Sequence, residues 1–525
     1  MVSPLEVAAA PSTILAPTGD IPRERRIFVN RTLRLDKIDL IGFDMDWTLA
    51  VYREEAIHRL SIEATLAKLV DRKGYPPEIL RIDYDPFFTI RGLCVDKEQG
   101  NLFKMDRHGH VGRVLHGRRP LSKERRHALY RTGNIRVRPP RYAWVDSLFA
   151  LPEGAIYARL VDWRDERVAA MGSAPGYERL WDDIRECIDE AHRDDSMKGL
   201  IKQAVATFIE RDPELPATLH KFRSAGRRLF LLTNSEWHYT DALMTHLLGG
   251  SSPLGYPSWR HYFDIVIVAS QKPRFFTDRT PFVAIDEAGH ALGEASSFVR
   301  GHVYQGGNLV DFEEYAGVCG DRILYVGDHI YGDMLRSKRA SAWRTALIVQ
   351  ELEGEIRQID AMRERGAMLE ELDRRRARLD ADVSFHQGRL KGLQRAGASP
   401  RPAGPGASPG PEGRAEKSPP SRALDAAKRG EKEKLDRLRA ELRDTLARVE
   451  QLEALIDRQF HPWWGPLFKE GHENSKFGEQ VEDYACVYTG RVSNFLAYSP
   501  LAYLRAAREY LPHELALPSA DAAEP

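Results

Sequence analysis

Ile41-Gly42-Phe43-Asp44-Met45-Asp46-Trp47-Thr48-Leu49-Ala50 is the stretch on which the reading of this chain turns. With Lys37-Ile38-Asp39-Leu40 ahead of it, the run to Phe43 reads as a buried strand ending in two aspartates one residue apart. Side chains alternate along a strand, so positions 44 and 46 lean toward one site while Met45 turns away. Two carboxylates at one strand end repel each other unless a positive charge sits between them, and oxygen ligands suit magnesium. An Asp-x-Asp pair alone is more often a simple acidic turn; the later segments reverse that reading.

Four further apolar runs follow at helix-length intervals. Residues 228–232 lead into Thr233-Asn234-Ser235, and residues 264–268 lead into Ala269-Ser270-Gln271-Lys272-Pro273. Residues 322–326 lead into Gly327-Asp328, and a fifth run covers 345–349. Short buried runs separated by helices predict an α/β fold, a Rossmann-like parallel sheet with helices on both faces. Such sheets bind ligands outside the C-terminal edge of their strands. Asp44, Asp46, Thr233, Lys272 and Asp328 all fall at that edge.

That set of groups permits hydrolysis of a phosphate monoester through a covalent intermediate. Asp44 can attack phosphorus, and Asp46 can protonate the departing alkoxide and later deprotonate water. Thr233 and the backbone N–H of Asn234 can hold phosphoryl oxygens, and Lys272 can neutralise Asp44 and phosphate together. Asp328 can complete a magnesium shell with Asp44 and Asp46, while Asp333 orients ligands or their waters.

Composition bounds the rest. The 525 residues are 42% hydrophobic, enough for a sizeable core, and 77 basic residues balance 77 acidic ones. Zero net charge gives no general push toward nucleic acid or anionic membrane. Four scattered cysteines without a Cys-x-x-Cys pair argue against a disulfide framework or a zinc site, and point to a reducing cytoplasm. No apolar run is long enough to span a bilayer. The expected organisation is a disordered lead-in (1–22), a catalytic core (23–52 and 221–350) and a cap inserted at 53–220. A helical hairpin arm follows at 351–460, with a disordered tip near 396–422. A segment at 461–515 is expected to pack on the core or a neighbouring subunit, ahead of a disordered tail (516–525). The arm carries Leu435, Leu438, Leu442, Leu446, Val449, Leu452 and Leu455 close to heptad steps, a coiled-coil pattern. A basic run between Arg113 and Arg141 reads as a solvated or subunit-contacting face, or as an approach for a phosphorylated ligand.

The order Asp-x-Asp, Thr, Lys, Gly-Asp-x4-Asp resembles the haloacid dehalogenase superfamily of phosphohydrolases. The fuller strings Phe43-Asp44-Met45-Asp46-Trp47-Thr48-Leu49-Ala50-Val51-Tyr52, Leu232-Thr233-Asn234-Ser235 and Tyr325-Val326-Gly327-Asp328-His329-Ile330-Tyr331-Gly332-Asp333 resemble the cytosolic purine 5'-nucleotidase family. Lys272-Pro273-x-Phe275-Phe276 does so too. The resemblance implies a magnesium-dependent nucleotidase for IMP and GMP, phosphotransfer to a nucleoside, and a homo-oligomer, dimer or tetramer. It also places Lys198 near the phosphate, and Phe149, Arg185, Asp189, His192 and Asp146 near the base. Two positions depart from the pattern: the family has Asn at Asp146 and an aromatic at Arg193. Those departures leave open a different phosphomonoester as substrate. A scaffold acting through the arm is the non-enzymatic alternative, against which the intact acid set argues.

Overall fold

A computed structural model describes residues 21–130, 137, 139–171, 174–249, 255–330, 333, 341–396, 422–508 and 511–514. The chain divides into two compact units, residues 1–357 with 466–525, and residues 358–465.

The first unit is built on a ten-stranded sheet. Its parallel strands are β1 (Leu40–Phe43), β2 (Arg228–Leu232), β3 (Ile265–Val268), β4 (Val303–Gly306), β5 (Ile323–Gly327), β6 (Arg344–Ile348) and β7 (Val487–Thr489). Their spatial order is β7-β6-β5-β1-β2-β3-β4. Phe28–Val29 adds antiparallel beside β7, and the hairpin Phe282–Ile285 with Ala291–Glu294 adds beside β4. From β1 the chain winds outward through β2, β3 and β4, then crosses back to β5 on the other side of β1. That reversal opens a crevice at the C-terminal end of β1, the usual binding place in doubly wound sheets.

β1 is buried at every position, as a strand covered on both faces must be. It starts later than the sequence suggested, because Leu35–Lys37 forms a 3-10 turn. Gly42 is required by a close approach: a Cβ there would sit 2.0 Å from the Phe230 ring on β2. That ring packs 4.7 Å from Phe312 and 5.9 Å from Trp343, so it has little room to retreat.

The segment between β1 and β2 leaves through Val51–Tyr52 and returns through Ile209–Glu210, which pair antiparallel. In between lie the helices Glu54–Lys73, Leu151–Met171 and Tyr177–Arg193 and a five-stranded antiparallel sheet. That sheet contains Leu93–Asp96, Asn101–Met105, Val111–His116, Arg119–Pro120 and Tyr142–Val145. The basic run, expected to be a solvated or subunit-contacting face or a ligand approach, is solvent-exposed at Arg119, Lys123 and Arg125, while others of its arginines brace the segment. Arg118 donates to Asp162, Arg141 to both oxygens of Asp96, and Arg113 pairs with Glu470. Arg131 lies outside the described residues.

The 466–514 segment belongs to the first unit: it supplies β7, and Tyr503–Leu504 pairs with Leu33–Arg34. Residues 1–20 and 515–525 lie outside the described residues, whereas Ile21 is buried. The second unit carries the long helices Arg363–Ala396 and Arg422–Phe460, packed along each other. Leu435, Val449 and Leu452 are buried in it, while Leu446 and Leu455 are exposed. Its tip, 397–421, lies outside the described residues. No helix among the described residues is long and apolar enough to cross a membrane.

Candidate active site

The turn after β1 is wound tightly. The Met45 carbonyl accepts from the backbone N–H groups of Thr48, Leu49 and Ala50, and Trp47 takes a left-handed φ of 58°. Such a backbone is uncommon for a bulky residue and is found where a site demands it. Met45 is fully buried, so Asp44 and Asp46 both reach a cavity of about 660 Å³ at the sheet's C-terminal edge. Asn234, Ser235, Lys272, Asp328, His329 and Asp333 share that cavity from the core side. Tyr52, Phe149, Asp189, His192 and Lys198 share it from the inserted segment, with Tyr239 against Tyr52 and Lys198.

Its floor is electrostatic. One oxygen each of Asp44, Asp328 and Asp333 lies within 4.8 Å of the other two. The Lys272 ammonium stands 3.0 Å from Asp44 and 2.8 Å from Asp333, and donates to the Tyr325 hydroxyl at 2.7 Å. Burial pushes the Asp44 carboxyl up to about 7, with Lys272 opposing and Asp333 and Asp46 adding to the rise. Burial and then the neighbouring Asp333 and Asp44 push Asp328 well above the carboxylate range. Burial disfavours the Lys272 charge, yet Asp333 and Asp44 hold it above the ordinary lysine value. Three carboxylates, two of them buried, against one ammonium leave the cluster short of positive charge. An all-oxygen set of that kind fits a hard divalent cation.

Two supports keep this cluster in place. Arg91, buried throughout, donates to the Asp328 backbone carbonyl at 3.0 Å and grips Glu351 with two bonds of 2.8 and 2.6 Å. Its guanidinium lies 4.8 Å over the Phe477 ring. Gly327, the last residue of β5, has no side chain because Asp333 occupies that space: a Cβ would meet the Asp333 carboxylate at 2.6 Å. Gly327→Ala is therefore expected to push Asp333 off Lys272 and to lower kcat by roughly 10–100-fold. Far-UV circular dichroism should stay unchanged, so that steady-state kinetics checks the effect.

The structure places several of the expected site residues as follows. Asp46, assigned to the metal shell, stands outside the carboxylate cluster, because Tyr52 donates to its Oδ1 at 2.5 Å and Ser235 to its Oδ2 at 2.7 Å. Asp333, given only an orienting role, is inside the cluster. Thr233 is 0% exposed and its hydroxyl accepts from the Ser235 backbone N–H, so Asn234 and Ser235, not Thr233, line the cavity from β2. The Asn234 side chain braces the loop of Lys272, accepting from its N–H at 2.5 Å and donating to its carbonyl at 2.9 Å.

Arg185, expected at the base, does not line the cavity: Glu153 holds it at 2.5 Å and Asp189 at 3.6 Å. Asp146 also stands outside the lining, 3.9 Å from the His329 ring. Phe149 does line it, edge-on to His192 at 5.5 Å and to Tyr52 at 5.7 Å. Burial and the nearby Lys198 push His192 down to about 4, so its ring is neutral at physiological pH. Lys198 lies 5.3 Å over the Tyr239 ring. Sequence reasoning missed Ser235 and Tyr52, although both stand inside the quoted motifs, and it missed Arg91, which no local pattern marks.

The chain is similar to several known proteins. A 5'-nucleotidase domain-containing protein of Dictyostelium discoideum is 28% identical over 504 residues, covering 94% of this chain and 75% of that protein. The 5'-nucleotidase domain-containing protein 2 of Rattus norvegicus is 34% identical over 349 residues, 64% of this chain and 61% of the relative. The match thus spans less than two thirds of the rat protein's length. A crystal structure described as a predicted phosphoglycolate phosphatase from Haemophilus somnus overlays with a TM-score of 0.27 at 12% identity, covering 60% of this chain and 86% of that one. The sequence model of the 5' nucleotidase family matches residues 27–516, and the chain belongs to that family.

Proposed function

We propose that this chain is a magnesium-dependent 5'-nucleotidase that hydrolyses purine nucleoside monophosphates of the IMP and GMP type. The observation that carries the reading is Lys272, whose ammonium sits 3.0 Å from Asp44 and 2.8 Å from Asp333 on the floor of a cavity that Asp46 also lines. Family membership supports a phosphoric monoester hydrolase. A magnesium ion held by Asp44, Asp328 and Asp333 would supply neutralisation of the phosphoryl oxygens.

Asp44 attacks phosphorus and becomes an aspartyl-phosphate. Asp46 gives its proton to the 5'-oxygen of the departing nucleoside, then takes one from the water that cleaves the intermediate. Lys272 holds the Asp44 carboxylate and the phosphoryl group in line, and Asn234 keeps the Lys272 loop in position. Phe149, His192 and Asp189 form the wall on which the base rests, and Lys198 lies beside the phosphate end. A ribose hydroxyl in place of water would give phosphotransfer to a nucleoside. The proposal extends to a cytoplasmic homo-oligomer whose helical hairpin is an assembly arm.

A second reading, another phosphomonoester, is favoured by Arg185, which is tied to Glu153 instead of reaching the cavity. A phosphate-release panel across nucleoside monophosphates and sugar phosphates, with and without magnesium, separates the two. Preference for IMP and GMP with loss of turnover in chelator supports the first. Turnover confined to sugar phosphates overturns it.

A further inference from the structure

Asp46 is held from two sides by neutral hydroxyls. Tyr52 donates to Oδ1 at 2.5 Å and Ser235 donates to Oδ2 at 2.7 Å. The Tyr52 oxygen in turn lies 2.9 Å from the Tyr239 hydroxyl. Both tyrosines are buried, and both line the cavity. The Tyr52 ring is fixed between Trp47, 4.8 Å away, and Phe149, 5.7 Å away. A hydroxyl so packed cannot follow Asp46 if the carboxyl turns. Burial and the neighbouring Asp46 raise Tyr52 well above the ordinary tyrosine value, so it stays a neutral donor.

A carboxyl group offers about four lone-pair sites. With one on each oxygen already engaged, the remainder are left for a transferable proton. Proton transfer to a leaving group depends on holding the donor in line with the oxygen that receives it.

We propose that Tyr52, backed by Tyr239, is a positioning residue that fixes the Asp46 carboxyl toward the oxygen of the departing alcohol. The inference deepens the nucleotidase reading and rests on it for the role of Asp46. In the step concerned, the bond from phosphorus to the leaving oxygen breaks as the bond from Asp44 to phosphorus forms. The Asp46 proton passes to the leaving oxygen, and Tyr52 keeps its own hydrogen.

The consequence is selective for leaving groups. A nucleoside or phenol departs poorly as an anion and needs the proton; p-nitrophenol departs readily without it. The test measures kcat/KM, which reports departure of the leaving group, on IMP, phenyl phosphate and p-nitrophenyl phosphate. Tyr52→Phe should lower kcat/KM on IMP and phenyl phosphate by roughly 10–100-fold, against less than about threefold on p-nitrophenyl phosphate. Tyr239→Phe should show the same selectivity at smaller size, and it carries the test if near-UV circular dichroism shows that Tyr52→Phe does not fold. Equal losses on all three substrates would mean a merely structural role and overturn the proposal, as would no loss. If the wild-type chain ignores IMP but hydrolyses the aryl phosphates, the nucleotide reading fails while the phenyl and p-nitrophenyl pair still decides this one. A wild-type chain that hydrolyses none of the three overturns both.

Discussion

Asp44→Asn is expected to abolish phosphate release, lowering kcat by at least about a thousandfold, because an amide cannot form the acyl phosphate. The same change should make the metal-free protein more stable. Burial holds the Asp44 carboxyl up to about 7, partly offset by Lys272 and reinforced by Asp333 and Asp46. The folded chain therefore binds a proton that the unfolded chain releases, from the ordinary carboxylate value of 3.8 up to that point. Stability is lost as pH rises through this window, since the unfolded state binds fewer protons there. Asparagine does not titrate, so the variant should gain in thermal midpoint over the parent, more at about pH 8 than at about pH 4. Differential scanning calorimetry in chelator, beside a phosphate-release assay, checks both halves. Retained turnover would refute the covalent role of Asp44; a gain independent of pH would refute the electrostatic account.

The second large effect is expected at Arg91→Ala. The guanidinium satisfies the Asp328 carbonyl, both oxygens of Glu351 and the face of Phe477 from a fully buried position. Removing the buried guanidinium costs about 1–3 kcal/mol, because the Asp328 carbonyl loses its donor, while the partly exposed Glu351 falls back on water. Urea titration should show that loss. Arg91→Lys should recover little of it, since an ammonium cannot reproduce a two-bond grip on a carboxylate. A variant that still folds should need more magnesium for half-maximal turnover, because the turn carrying Asp328 has lost its anchor. An unshifted magnesium requirement would confine Arg91 to a structural role.

The parts of the fold legible in the sequence are those where burial is complete on both faces. The runs at β1, β2, β3, β5 and β6 are short and nearly all apolar, and all but β6 lead into residues that gather at the site. β4 and β7 escaped notice because they are four and three residues long and interleaved with polar or small groups, Gln305 and Gly306 in one, Thr489 in the other. The antiparallel sheet of the inserted segment was hidden by Lys104. It sits at 2% exposure in the strand Asn101–Met105 and donates to the backbone carbonyls of Pro466 and Lys469. A buried cation whose partners lie hundreds of residues away breaks the alternation on which strand reading depends. The candidate site shows the same division. Which residues gather at the strand ends was readable from order and spacing. Which oxygen faces which donor was not, since the rotations of Thr233, Asp46 and Arg185 are decided by neighbours remote in sequence.

One consequence concerns synthesis of the chain. β6 pairs in parallel with β7, yet the long helices Arg363–Ala396 and Arg422–Phe460 lie between them in the sequence. During translation the outer flank of β6 stays bare until the last tenth of the polypeptide leaves the ribosome. A naked strand flank is a template for unwanted pairing with other chains. The nascent protein thus faces its greatest aggregation hazard late, and a stop codon ahead of Val487 would leave that hazard permanent.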